Sequence, residues 1–153
     1  MRLKLIEVIK KNIEYNRYDI ILRYLMIEYY YNKNTYGLDM YKKMQKNRMK
    51  LNDEEIIEYI EKFYYLIDNI SKNRYNNNFP IVIDKNHLLF DGSHRLSCIL
   101  YFKLKNVKIE LDNRLNFKHT FFNLKWFKEN NFTDEEIKIM KNKQIDIFNI
   151  WKL

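Results

Sequence analysis

Two glycines and one proline punctuate a chain of 153 residues that contains no alanine. Glycine and proline are the residues that most freely turn or break the backbone. With only three of them, most turns must fall on asparagine and aspartate, and Gly37, Pro80 and Gly92 mark the places where geometry is special. Hydrophobic residues make up 46%, which at this length supplies one core, so a single domain over 1–153 is expected. Asparagine, lysine, isoleucine and tyrosine are abundant in the way of AT-rich codons, so position carries more information than content.

The formal net charge of +8 and a pI near 9.4 favour anionic partners. Nucleotide phosphates, nucleic acid and acidic membrane surfaces are all compatible with it. The single cysteine, Cys98, excludes an intramolecular disulfide and a cysteine-based zinc cluster, which fits a reducing, cytoplasmic setting. The apolar stretch 19–31 is broken by Arg23 and Glu28 and is too short to span a bilayer. Residues 1–11 are basic and apolar, with no small-residue cleavage site after them, so no signal peptide is read.

The half before Pro80, over 1–75, reads as helices. Leu5, Ile6, Ile9 and Ile13 form one apolar stripe, and Ile20 to Tyr31 is apolar on so many sides that it predicts a buried central helix. Leu38, Tyr41, Met44 and Met49 mark a third helix, with Lys42, Lys43, Lys46, Arg48 and Lys50 around it. Asn52 and Glu55 have the form of a capping box, and Ile56, Ile60, Phe63, Ile67 and Ile70 then predict a helix over 53–72. Asn76 to Asn78 reads as a loop. After Pro80, Ile81 to Ile83 and His87 to Phe90 predict a hairpin around Asp84, Lys85 and Asn86. A helix is expected from Ser93, with Leu96, Ile99, Leu100 and Phe102 facing a core, and a strand over 107–111. Thr133 and Glu136 predict a capped final helix packing through Ile137, Met140, Ile145, Phe148 and Trp151. The expected class is α+β, with a helical segment over 1–75, a small mixed sheet with an inserted helix over 78–112, and a helical extension over 113–153.

Chemistry concentrates in Phe90-Asp91-Gly92-Ser93-His94-Arg95, where a strand ends and a helix begins. Free amides and the positive end of the helix dipole make this an anion site, Gly92 permits close approach, and Arg95 can hold a phosphate through two hydrogen bonds. Asp91 can ligate a metal or accept a proton, and His94 can act as donor or acid/base. The plain alternative is a helix capped by Asp91 with Arg95 in a surface ion pair. Glu28 is a candidate buried base, or else lies on an exposed strip. Lys43 and Arg48 are candidate substrate or phosphate contacts, with Gly37 freeing the turn before their helix, or else belong to a solvated basic face. His119, beside Phe117, Phe121 and Phe122, is expected to pack, His87 to lie exposed on a strand, and Cys98 to be a core residue.

The stretch from Pro80 through Phe90-Asp91-Gly92-Ser93-His94-Arg95-Leu96 and on to Val107 resembles the core of the ParB/sulfiredoxin-like superfamily. In that superfamily a proline-initiated strand, a hairpin, a Gly-x-His-Arg turn and a helix build a nucleotide phosphate pocket. The Asp-Gly-x-His-Arg form is most similar to the free serine kinase branch. That resemblance implies phosphoryl transfer from ATP, or from ADP or CTP, to a small hydroxyl compound. Gly92, Ser93, His94 and Arg95 would lie on phosphate, and Asp91 would serve as Mg2+ ligand or acid/base. Ser93 stands where sulfiredoxins carry cysteine, which removes sulfinic acid repair. No second arginine in the turn and no helix-turn-helix domain follow, as chromosome-partitioning members would have. The kinase branch's catalytic glutamate finds no match in the first 75 residues. A DNA- or RNA-binding protein or nuclease is the second class, supported by twelve basic against five acidic residues in the first 50. A regulatory module that holds a nucleotide without turnover is the third. Lining of one closed pocket by 42–50 and the Arg95 turn would favour the kinase, and an open basic stripe would favour nucleic acid.

Overall fold

From Ile20 to Ile27 only Arg23 breaks an apolar run, so no face of this segment can be left to water. It forms helix α2 (Tyr18–Tyr30), in which every residue from Tyr18 to Ile27 is buried. The computed structural model describes residues 4–120 and 122–153; Phe121 lies outside them. Around α2 pack α1 (Leu5–Glu14), α3 (Gly37–Met49) and α4 (Asp53–Asn73), followed by strands β1 (Ile81–Ile83) and β2 (Leu89–Asp91). Helix α5 (Ser93–Phe102), strand β3 (Ile109–Leu111), α6 (Leu124–Glu129) and α7 (Asp134–Trp151) complete the order. One continuous core runs from Ile9 in α1 to Ile147 in α7. No described helix is long and apolar enough to cross a membrane.

Among the described residues the sheet has three strands in the order β2-β1-β3. β1 runs antiparallel to β2, with Val82 opposite Asp91 and Ile83 opposite Leu89 across a bulge, and parallel to β3, with Ile81 opposite Ile109. The mixed α+β class is thus observed, with α5 inserted between β2 and β3. Both capping boxes form: Asn52 Oδ1 accepts from Glu55 N at 2.8 Å, and Thr133 Oγ1 accepts from Glu136 N at 3.1 Å. Asp84 closes the hairpin turn, its carboxylate accepting the amides of Asn86, Leu88 and Phe117 at 2.8, 2.9 and 2.7 Å.

Several details depart from the sequence expectation. Ile145 is 57% exposed, and Ile147 takes the core position on α7. Met49 and Ile6, assigned to apolar stripes, are largely exposed, and α6 has no counterpart in the sequence reading. His87 sits in the hairpin turn at φ 66, not on a strand. Gly37 does not free a turn; it is the first residue of α3, and a Cβ there would come within 2.5 Å of Leu25 O and 2.9 Å of Tyr29 Cβ. Its role is to let α3 lie directly against α2.

Scarcity of glycine leaves its mark on the helix ends. Lys50, Lys103 and Lys152 hold left-handed C-cap conformations that glycine adopts without strain. An L-residue in that conformation costs roughly 1–2 kcal/mol, partly offset by the larger unfolded-state entropy of glycine. Lys103→Gly is therefore expected to raise Tm by about 2 °C. Gly37→Ala is expected to lower stability by about 2 kcal/mol or more through overpacking. Thermal melts of the two variants beside the wild type check both signs.

Candidate functional site

Helix α5 begins at a residue that only glycine tolerates. Gly92 has φ 105 and ψ 32, and a Cβ there would meet Ile81 Cγ2 at 3.1 Å and Arg95 Nη2 at 3.2 Å. No side chain caps the helix, so the amides of Ser93, His94 and Arg95 keep the partial positive charge of an uncapped N-terminus. Ser97 Oγ fastens this end to the fold, donating within 3.1 Å of Ile20 O and 2.8 Å of Ser93 O.

Beneath that N-terminus lie three guanidinium groups and one carboxylate. Arg17 and Arg23 are 2% and 3% exposed, and Asp19 is 3% exposed. Arg17 makes a two-pronged pair with Asp19, Nε and Nη2 each donating at 2.9 Å, and its Nη1 donates to Leu89 O at 2.8 Å. Arg23 Nη1 donates to Asp19 O at 2.9 Å and stands 3.6 Å from Asp19 Oδ2. Arg48 reaches in from α3; its Nη1 meets Gln45 Oε1 at 3.4 Å, while its Nε is buried without a partner. Burial pushes the Asp19 carboxyl up, but Arg17, Arg23 and Arg48 outweigh it and hold the group at about 2. Burial and Arg48 draw the Arg23 guanidinium down to about 10, which leaves it charged at neutral pH. Burial likewise lowers Arg48. Three positive charges thus face one negative charge in a poorly solvated place, which favours a second anion.

His94 joins this cluster to the cleft above it. Its Nε2 lies 3.3 Å from Arg23 Nε and 2.8 Å from Tyr41 Oη, and the Phe63 ring meets it edge-on with centroids 4.7 Å apart. Arginine can only donate, so Nε2 is the acceptor and the proton sits on Nδ1. Burial, then Arg23 and Arg48, push the imidazole well below its ordinary value, so it is neutral at pH 7. Tyr41 accepts from Gln45 Nε2 at 3.5 Å, which links His94 back to Arg48 through hydrogen bonds.

The cleft has a volume of about 880 Å³; Arg23, Arg48 and the turn from Phe90 to Arg95 form one side of its lining, and α4 supplies Glu58, Glu61, Lys62, Tyr65 and Leu66. Spacings of three and four place these α4 residues on one helix face. Beyond Arg48 a smaller cavity of about 170 Å³ is lined by Arg17, Asp19, Phe117 and His119, among others.

The expected site residues divide. Asp91, Gly92, Ser93, His94, Arg95 and Arg48 share the cleft. Arg95, however, is largely committed within the protein: Nη1 donates to Phe79 O at 2.7 Å and Pro80 O at 2.9 Å, and Nη2 to Asp91 Oδ2 at 3.2 Å. Asp91 does not cap α5. Among the described residues no three histidine, cysteine or acidic side chains are grouped to hold a metal ion. With Asp91 paired to Arg95, this donor set does not fit a metal held by the protein alone. Lys43 lies elsewhere, 2.6 Å from Glu136 Oε1 on α7, and Glu28 pairs with Lys143 of α7 at 3.1 Å. Neither lines the cleft. His119 is exposed, its ring 5.7 Å from that of Phe117. Cys98 is fully buried, and burial pushes its thiol up to about 12. Sequence reasoning missed Arg17, Asp19, Arg23, Glu58 and Glu61. The one available signal was charge inside an otherwise apolar helix, at Asp19 and Arg23.

Compared with protein-family models, with curated proteins and with solved structures, the chain finds no match in any of the three.

Two groups of the site contribute to the acid sensitivity of the fold. His94 has a depressed native value, so the unfolded chain binds a proton first, and stability falls as pH drops through about 6.5, the ordinary histidine value. Asp19 also has a depressed native value, so about 2 kcal/mol present above pH 4 is lost as pH falls toward 2. Urea midpoints measured from pH 8 to pH 3 should decline in those two windows, and His94→Gln should abolish the first.

Proposed function

We propose that the cleft binds a nucleotide through its phosphates and transfers a phosphoryl group to a small hydroxyl compound. The observation that carries this reading is the excess of buried guanidinium charge, including the unpaired Arg48 Nε, beneath the uncapped α5 N-terminus. Phosphate oxygens would take the amides of Ser93 to Arg95, the open side of Arg23 and the Nε of Arg48, and Nδ1–H of His94 would donate to them. The resemblance of 80–107 to the ParB/sulfiredoxin-like core, and to its free serine kinase branch, agrees with phosphate at this turn. Mg2+, if used, would arrive coordinated by the phosphates of ATP, ADP or CTP, since the guanidinium groups already answer much of their charge.

Transfer also needs a group to take the acceptor's proton. Glu58 and Glu61 lie on the α4 side of the lining and suit that role. The acceptor oxygen forms a bond to phosphorus, the bond to the leaving phosphate breaks, and the hydroxyl proton passes to a glutamate. A sensor that only holds a nucleotide would have no use for these two carboxylates. Nucleic acid is disfavoured by the basic helix α3, whose Lys43 and Lys46 are tied to Glu136 and Asp53 and of whose basic residues only Arg48 joins the Arg95 turn in the cleft.

Arg48→Met is expected to weaken ATP binding by about 10- to 100-fold, the range for one charge-assisted contact, with circular dichroism unchanged. Calorimetry with and without Mg2+ measures it; affinity equal to wild type would remove Arg48 from the site. The double variant Glu58→Gln, Glu61→Gln should keep nucleotide binding and lose about 10²- to 10⁴-fold in turnover. Phosphate transfer assayed over pooled small hydroxyl compounds reads this, and full turnover would place the base elsewhere.

A further inference from the structure

Tyr65 and Phe79 are, at 72% and 63%, the most exposed of the large hydrophobic side chains described. They line the same small cavity, of about 210 Å³, between the C-terminal half of α4 and the loop that leads to β1. That loop is fixed although the Phe79 ring is bare. The Phe79 carbonyl accepts from Arg95 Nη1 and from Tyr75 Oη, and Arg95 also holds the Pro80 carbonyl. A clamped backbone presenting an uncovered ring is suited to contact something outside the fold.

The cavity adjoins the phosphate cleft, since Tyr65, Leu66 and Arg95 line both. We infer that it is the subsite for the base of the nucleotide, with the base stacked against Tyr65 and Phe79 and its edge met by the side-chain amides of Asn69 and Asn76. This rests on the reading that the cleft takes nucleotide phosphates. Apolar lining, planar aromatic walls and a few amide groups are what a nucleobase requires. The volume suits one planar ring system, and continuity with the buried arginines through Arg95 gives that ring system a phosphate tail. Arg95 is then a positioning residue, holding the Phe79 wall while its helix N-terminus faces the phosphates.

Calorimetry comparing ATP with inorganic tripolyphosphate separates the two ideas. Wild-type protein should bind ATP at least ten-fold more tightly than tripolyphosphate. The variant Phe79→Ala changes an exposed side chain that lines the small cavity and not the phosphate cleft, and should lose most of that advantage, with tripolyphosphate affinity and melting temperature retained. Equal affinity of the two ligands in the wild type, or an undiminished ATP advantage in the variant, overturns the base subsite and leaves the phosphate cleft standing. If neither ligand binds, the nucleotide reading falls and the base subsite with it.

Discussion

Two buried guanidinium groups and the partly buried Arg48 surround one carboxylate at the point where α2, α3, β2 and α5 meet, and much of the molecule is arranged around that imbalance. Asp19 is buried only because Arg17 and Arg23 hold it, and Arg17 in turn anchors β2 through the Leu89 carbonyl. Removing one partner from such a cluster leaves an uncompensated buried charge, at a cost of about 3–5 kcal/mol. Carbonyl oxygens of Leu89 and Asp19 and the Phe117 ring, 4.2 Å from the Arg17 guanidinium carbon, answer part of the residual charge, but among the described residues these arginines have no ion-pair partner besides Asp19. On the proposed reading the cluster is preorganised for an anion, so binding one should relieve an existing electrostatic cost with little rearrangement.

Much of the scaffold is written locally. The capping boxes at Asn52 and Thr133, the periodic isoleucines of α4, the β-branched run after Pro80 and the strand-to-helix turn at Gly92 are short-range signals, and each predicts the element that forms. What escapes is long-range. Arg23 and Glu28 both interrupt the same apolar helix, yet one faces His94 and the other Lys143, and no spacing rule distinguishes those faces before the partners are placed. Lys43 and Arg48 have the same ambiguity on α3. Helix α6 is too short to show a period, and the preference for Ile147 over Ile145 depends on how α7 is rotated against α2. Gly37 is marked by its rarity, but its reason, the close approach of α3 to the Leu25 carbonyl, belongs to packing.

These features define a division of labour across the cleft. Its α5 side carries positive charge held rigidly by buried pairs, and the α4 face carries exposed carboxylates and an aromatic ring. His94 connects the two, neutral and oriented by Tyr41, Gln45 and Arg23, with one N–H left to donate. An anion above it would offset the guanidinium charge that, together with burial, keeps the ring unprotonated.

The central claim can be read directly at that ring. Nitrogen-15 NMR of the histidine side chains, titrated with pH in the absence and presence of inorganic tripolyphosphate, reports both tautomer and protonation of His94. The account predicts a neutral Nδ1–H imidazole at pH 7 in the free protein and a titration midpoint that moves upward when the polyphosphate binds. An imidazolium in the free protein, or a midpoint indifferent to saturating tripolyphosphate, would contradict it.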